Sequence, residues 1–162
     1  MTTLVLVRHA KSDWSHPELS DHDRPLGKRG LRDAPVMAAQ LAATGAAPDA
    51  VLSSTALRAR TTAEYFGSAF GLEVQLREEL YGAWPDDLLA AAESSDVDSV
   101  LIVAHDPGMT MLAEELSDGG IEHMPTCAVA QFEWDELDWG LALSRKPRTW
   151  RFDRPRPARS AT

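Results

Sequence analysis

The sequence predicts a three-layer α/β sandwich: a mainly parallel sheet with helices on both faces. Two observations carry that prediction. Beta-type apolar runs alternate along the chain with helical stretches, the order that crossover helices between parallel strands produce. Two of those runs, "LVLV" in 4–7 and "VLIVA" in 100–104, are continuously apolar, as central strands buried on both faces are.

The elements follow in order. The first strand, "TLVLVR" (3–8), runs directly into Arg8 and His9. A helix over 28–44 carries the apolar positions Leu31, Val36, Met37 and Leu41 and stops at Gly45, with Pro35 near its first turn or as a kink. The strand "AVLSS" (50–54) leads to a helix over 55–70 with the stripe Ala59, Ala63, Phe66, Phe70 and Ser54 or Thr55 as N-cap. The strand "LEVQL" (72–76) precedes a short Ala/Leu-rich helix, 86–93, that follows Pro85. The strand "SVLIVA" (99–104) precedes a helix over 107–117 with Pro107 near its start and Leu112 and Leu116 on one face. "CAVAQFEW" (127–134) and "TWRF" (149–152) supply two more strands. No internal repeat or interdomain linker interrupts the series, so residues 1–152 are expected to form one domain, followed by a basic tail, 153–162.

Composition narrows the function classes. The chain has 162 residues, 44% of them apolar and 25% charged, and one cysteine, Cys127. That size buries a core without staples, and a single cysteine forms no internal disulfide. No apolar run approaches the roughly 20 residues a bilayer span needs, and "MTTLVLVRH" does not read as a signal peptide. A cytoplasmic protein is the expectation. From Arg145 onward there are seven Lys/Arg and one Asp. Taken from the 16 bases and 25 acids of the chain, these leave 9 against 24 in residues 1–144, a net of −15. Such a body repels nucleic acid. The basic tail is read as a solvated terminus, with docking on an acidic partner as the alternative.

Three polar placements stand out. In an open parallel sheet, ligands bind beyond the carboxyl ends of the strands. Arg8 and His9 follow the first strand, Arg58 stands near the start of the helix after the second, and His105 follows the fourth, just before a helix. Arginine offers forked donors suited to phosphate oxygens, helix N-termini attract anions, and a neutral histidine is a nucleophile toward phosphorus. The inferred ligand is a phosphoryl group. "SHPELSDHD", with His16, Asp21, His22 and Asp23, has none of the ligand spacings of known metal sites. No metal and no cofactor are expected, and Asp21 and Arg24 are expected to pair or to line the crevice rim.

The stretches "LVRHAKSDW", "LGKRGLRDA", "LSSTALRARTTAE" and "VAHDPGM" together resemble the histidine phosphatase, or phosphoglycerate-mutase-like, superfamily. The short length, Ala10 where that family commonly has glycine, and "RHAKSDW…DHDRPLGKRG" look most like its SixA-type phosphohistidine phosphatases. The resemblance implies a phosphoglycerate-mutase-like fold and a phosphatase. It also implies His9 as a nucleophile that becomes phosphorylated, Arg8 and Arg58 as grips on the phosphoryl oxygens, and His105 as a stabiliser of transition-state charge. "LREELYG" (76–82) is similar to the mutase stretch whose Glu protonates the leaving group, which matches Glu78; Glu79 and Asp13 are the alternatives. Thr62, Ser12 and Trp14 are candidate secondary contacts.

The substrate is expected to be a phosphorylated protein, since an imidazole, with a conjugate-acid pKa of ~6.5, leaves far more easily than an alkoxide and demands less of an acid. A small phosphomonoester is the alternative substrate. A phosphate-binding regulatory domain that does not turn over is the non-enzymatic alternative.

Overall fold

The structure, a computed structural model, describes residues 1–157; the last five residues of the expected tail lie outside the described residues. Six strands form one sheet: β1 (Thr2–Arg8), β2 (Ala50–Ser54), β3 (Val74–Arg77), β4 (Ser99–Ala104), β5 (Val129–Trp134) and β6 (Thr149–Asp153), in the order β3-β2-β4-β1-β5-β6. The β3–β2, β2–β4 and β4–β1 pairs are parallel, while β5 runs antiparallel to both β1 and β6. The α/β sandwich with a mostly parallel sheet is therefore the observed architecture, with an antiparallel strand inserted at β5.

Side-chain alternation along the central strands builds two cores. Leu4 and Leu6 of β1 and Ile102 of β4 point to one face, where they meet Leu88, Leu112 and Phe132. Val5, Val7, Leu101 and Val103 point to the other, against Met37, Leu41, Ala63 and Phe66. Because both faces are covered, strand positions on either side must be apolar, which is why these two runs show no polar alternation. Each fully buried Leu or Phe here contributes roughly 1.5–3 kcal/mol.

The helices are α1 (Lys28–Ala43), α2 (Leu57–Phe70), α3 (Pro85–Glu93), α4 (Gly108–Leu116) and the five-residue α5 (Trp139–Leu143). Pro35 is accommodated inside α1. The inner face of α1 departs from expectation. Leu31 and Val36 are 47% and 50% exposed, while Gly30, Ala34, Met37, Ala38 and Leu41 are buried. Small residues let the helix lie close to its neighbours, so reading the larger apolar side chains alone misplaced the stripe.

Among the boundaries that move are the start of α2 and the start of β3. The N-cap of α2 is Ala56 rather than Ser54 or Thr55. The Ser54 hydroxyl instead accepts the Ala56 N–H and meets His105, while Thr55 meets His22. β3 starts at Val74, not residue 72, because residues 71 and 72 close the end of α2. Gly71 takes a left-handed φ of 68° and Leu72 N–H returns to the Gly67 carbonyl, a glycine-terminated helix end.

Gly30 marks a close approach that bears on the site. A Cβ there would stand 2.2 Å from the Lys11 carbonyl oxygen, in the chain just after His9. Gly30→Ala gains about 1 kcal/mol of helix propensity but forces an overpacked backbone contact costing roughly 1–3 kcal/mol, or more. The expected net result is a destabilised chain, read as a lower urea midpoint. An unchanged or higher midpoint would show that α1 moves aside freely.

Candidate active site

The sheet topology brings the two histidines together. β1 and β4 lie side by side in parallel with Arg8 opposite Ala104, so the next residues, His9 and His105, emerge from adjacent strand ends. His9 N–H bonds the Ala104 carbonyl at 3.1 Å and the two rings stand 5.0 Å apart. Arg58 is the second residue of α2, which follows neighbouring β2. Arg8, His9, Arg58 and His105 line one pocket of about 240 Å³, together with Ser12, Trp14, Arg24, Lys11, Asp106 and Thr126.

His9 is 8% exposed, and its Nδ1 lies 2.8 Å from the Ala10 carbonyl. A carbonyl only accepts, so Nδ1 carries the proton and the neutral ring keeps its lone pair on Nε2. Burial first, and then the charges of Arg58 and Arg8 together with His105, push the His9 pKa down to about 3, although the Ala10 contact acts upward. Around His9 the backbone is held on two sides. Thr62 Oγ1 accepts from Ala10 N–H at 3.0 Å and donates to the Arg58 carbonyl, while Cys127 N–H is shared between the Arg8 and His9 carbonyls. Burial raises the Cys127 thiol to about 12, so it stays protonated and is no rival nucleophile.

His105 is equally buried, and its Nε2 meets Ser54 Oγ at 2.8 Å. With the Ser54 hydroxyl donating, the ring proton sits on Nδ1, which has no partner within the protein. Burial, followed by the Arg58 charge, lowers the His105 pKa to about 4.

The cations are held in place by acids. Arg8 donates from Nη1 to the Met124 carbonyl and pairs with Asp106 at 3.4 Å. Both terminal nitrogens of Arg58 reach Asp21, one to its carbonyl and one to its carboxylate. Asp21 also pairs with Arg24 at 3.0 Å and accepts from the Tyr81 hydroxyl. The Tyr81 hydrogen bond, then Arg58 and Arg24, holds the Asp21 pKa at about 2. Arg24 in turn donates to Ser12 and stacks 3.5 Å from the centroid of Trp14. Among the described residues, only three buried side-chain polar atoms lack a partner: Arg8 Nε, Arg58 Nε and His105 Nδ1. All three belong to residues of this one pocket.

The proposed proton donors do not gather here. Glu78 is exposed in a 3-10 turn, Glu79 pairs with Arg77, and Asp13 accepts from Ser15; none lines the pocket. Sequence reasoning had passed over Asp106, Tyr81 and the Ser54 contact. Asp106 sits beside His105 in "AHDPGM", and that adjacency was the available signal. No comparable signal marked Tyr81 or Ser54, which reach the site only through the fold. Among the described residues, no three His, Cys, Asp or Glu side chains cluster as metal ligands would, and no helix is long and apolar enough to cross a membrane.

The two low histidine pKa values make stability depend on pH. In the folded chain both rings stay neutral to about pH 4, whereas in the unfolded chain they protonate near 6.5. Below 6.5 the unfolded state binds more protons, so stability falls as pH falls. Each ring should withdraw about 2 kcal/mol between pH 8 and pH 5. Urea unfolding at the two pH values checks this, and His9→Gln should remove about half of the loss. A flat profile would mean that the rings are solvated.

Comparison with known proteins agrees with this geometry. The family model of the histidine phosphatase superfamily (branch 1) matches residues 4–84. The chain belongs to the histidine phosphatase superfamily. The uncharacterized protein Rv1276c of Mycobacterium tuberculosis is 35% identical over 153 residues, 84% of this chain and 94% of its own. A crystal structure from Agrobacterium tumefaciens, of a protein assigned as the phosphohistidine phosphatase SixA, superposes with a TM-score of 0.78 at 30% identity, covering 95% of this chain and 98% of that one. The protein histidine phosphatase SixA complexed with tungstate superposes with a TM-score of 0.71 at 29% identity, covering 83% and 90% of the two chains. The superfamily chain is thus SixA-like in fold, and its family and structural neighbours support a phosphatase.

Proposed function

We propose that the protein removes phosphate from phosphohistidine on a protein, through a covalent phosphohistidine intermediate on His9. The observation that carries this is the set of partnerless buried nitrogens on Arg8, Arg58 and His105 beside a neutral His9 with a free Nε2. Buried donors are costly to leave unpaired, and all three belong to side chains that line one pocket of about 240 Å³, which supports an oxyanion as its ligand. The SixA complex with tungstate, an oxyanion of phosphate's shape, is consistent with such a ligand.

In the first step the His9 Nε2 lone pair forms a bond to phosphorus as the P–N bond of the substrate breaks. A substrate ring protonated on its other nitrogen leaves as neutral imidazole. Arg8, Arg58 and His105 Nδ1–H bear on the charge that the phosphoryl oxygens carry through the transition state. In the second step water attacks phosphorus, the P–Nε2 bond breaks and its electron pair returns to His9. The water proton ends on the released phosphate. No step calls on a strong acid, which fits the positions of Glu78, Glu79 and Asp13 outside the pocket lining. The mouth carries Trp14, 68% exposed, and Tyr81, 40% exposed, whose ring stands 5.6 Å from His105. Exposed aromatics at a pocket mouth suit a protein surface better than an enclosed small ester.

The test is phosphate release from a phosphohistidine carrier protein and from an alkyl phosphomonoester, side by side, with His9→Ala as blank. Faster turnover of the phosphohistidine is expected. Preference for the ester would move the assignment to a small-molecule phosphatase with Glu78 as its acid. Tight phosphate binding without release from either would favour a regulatory phosphate-binding domain.

A further inference from the structure

A second, larger groove of about 680 Å³ lies next to the histidine pocket, between the first turns of α1 and the segment Arg154–Pro157 that follows β6. Thr126 lines both, so the two adjoin at that residue. We propose that this groove docks an acidic stretch of the phosphoprotein substrate, next to its phosphohistidine. The inference rests on the phosphoprotein reading above and adds how that partner is recognised.

Charge is the first argument. The groove is lined by Lys28, Arg29, Arg32 and Arg156 against one acid, Asp33. The Asp33 carboxylate is buried and already shared by Arg29 at 3.6 Å and Arg32 at 3.4 Å, whose side chains remain 55% and 49% exposed. A local surplus of three positive charges therefore stands on a chain of net charge −9. A surface of sign opposite to the whole molecule is the signature of a partner of that molecule's own sign.

The second argument is a broken local rule. Acids belong in the first turn of a helix, where the dipole is positive. The first turn of α1 holds no acid and begins with Lys28 and Arg29, and its N-cap Gly27 offers no side-chain cap. Such like-charge crowding lowers the stability of the free chain, and an anion in the groove relieves it.

The third argument is shape and direction. Arg29 Nη2 donates to Thr126 Oγ1 at 3.0 Å, which ties the cationic wall to the residue that borders the catalytic pocket. Pro125, Pro155 and Pro157 give the groove an apolar lining, suited to a polypeptide backbone with acidic side chains reaching the rim. A polynucleotide would extend beyond this short groove over an acidic body and be repelled. This also gives a role to the Pro/Arg segment after β6: it is one wall of the groove.

The test uses two labelled peptides, one with glutamates flanking a central histidine and one with glutamines in their place. Binding is read by fluorescence anisotropy at low and moderate salt. The glutamate peptide should bind at least about tenfold more tightly, and the advantage should shrink as salt rises. The double variant Lys28→Glu/Arg32→Glu should abolish the advantage, and Lys28→Arg/Arg32→Lys should keep it. After phosphorylation of the histidines, the charge-reversed variant should lose about tenfold in kcat/KM on the glutamate peptide while hydrolysing phosphoimidazole at the wild-type rate.

Equal binding of the two peptides, or binding untouched by charge reversal, would overturn the docking site. So would a duplex oligonucleotide that binds as tightly as the glutamate peptide. Selective binding of the glutamate peptide without any hydrolysis would support the groove and refute the phosphatase reading. Equal hydrolysis of both phosphopeptides would do the reverse.

Discussion

Replacement of His9 by alanine is expected to lower phosphate release by about 10⁴-fold or more, and to leave no phosphate on the protein after a denaturing quench. The reason lies in the hydrogen bonds of the two rings. His9 spends Nδ1 on the Ala10 carbonyl, so its Nε2 is an unencumbered base. His105 has Nε2 tied to Ser54 and shares its pocket with Arg58 and Arg8. Under the proposed mechanism the two rings therefore differ in role although they are similarly buried. His105→Asn should still form a phosphoprotein, more slowly by about 10²–10³-fold, and His9→Ala should form none. The readout is radiolabelled phosphate retained on the chain, stable to base and labile to acid, with circular dichroism verifying the fold of each variant. A phosphoprotein in His9→Ala but not in His105→Asn would exchange the two assignments.

The second large effect concerns Arg58. Its side chain is 7% exposed, and both terminal nitrogens are occupied by Asp21 while Nε has no partner in the protein. Arg58→Ala removes a buried charge that would face the phosphoryl group in the transition state, and kcat should fall by about 10²–10³-fold. It also frees Asp21 from one of the two arginines that, after the Tyr81 hydrogen bond, hold its carboxyl pKa at about 2. The carboxylate then keeps Arg24 and Tyr81 but loses the charge that offset it on the Arg58 side, so KM and the inhibition constant for tungstate should both rise. Arg58→Lys restores the charge without the fork of donors and should recover only part of the loss. If the double variant Arg58→Ala/Asp21→Asn regained tungstate binding but not kcat, the two contributions would be separated. An Arg58→Ala enzyme with normal kcat would remove the arginine from the mechanism.

The candidate site was legible because its polar residues are concentrated at strand ends. Continuous apolar runs mark β1 and β4 as central strands, and the polar residues that end them, Arg8, His9 and His105, are conspicuous for that reason. The motif "LRARTTA" placed Arg58 at a helix start, and its Thr62 proved to hold the backbone after His9. The acids were less legible. The expected pairing of Asp21 with Arg24 is found, and Asp106 stands next to His105, but nothing around Glu78 or Asp13 in the sequence sets them apart as carboxylates outside the pocket.

What the sequence by itself determined is the order of elements, the buried character of the central strands and the residues that stand where those strands stop. These depend on local periodicity and on the chemistry of single side chains, and both can be read without knowing which strands are neighbours. What only the tertiary structure decided is adjacency. The return of β4 to lie between β2 and β1 sets His105 beside His9, with Ser54 behind it. The closure of residues 21–24 over the strand ends sets Asp21 between two arginines and Tyr81. The path of the chain after β6 along α1 makes a groove of cations far apart in sequence. Such contacts join residues tens of positions apart, and their geometry is fixed by packing the two cores against one sheet, which no local pattern encodes.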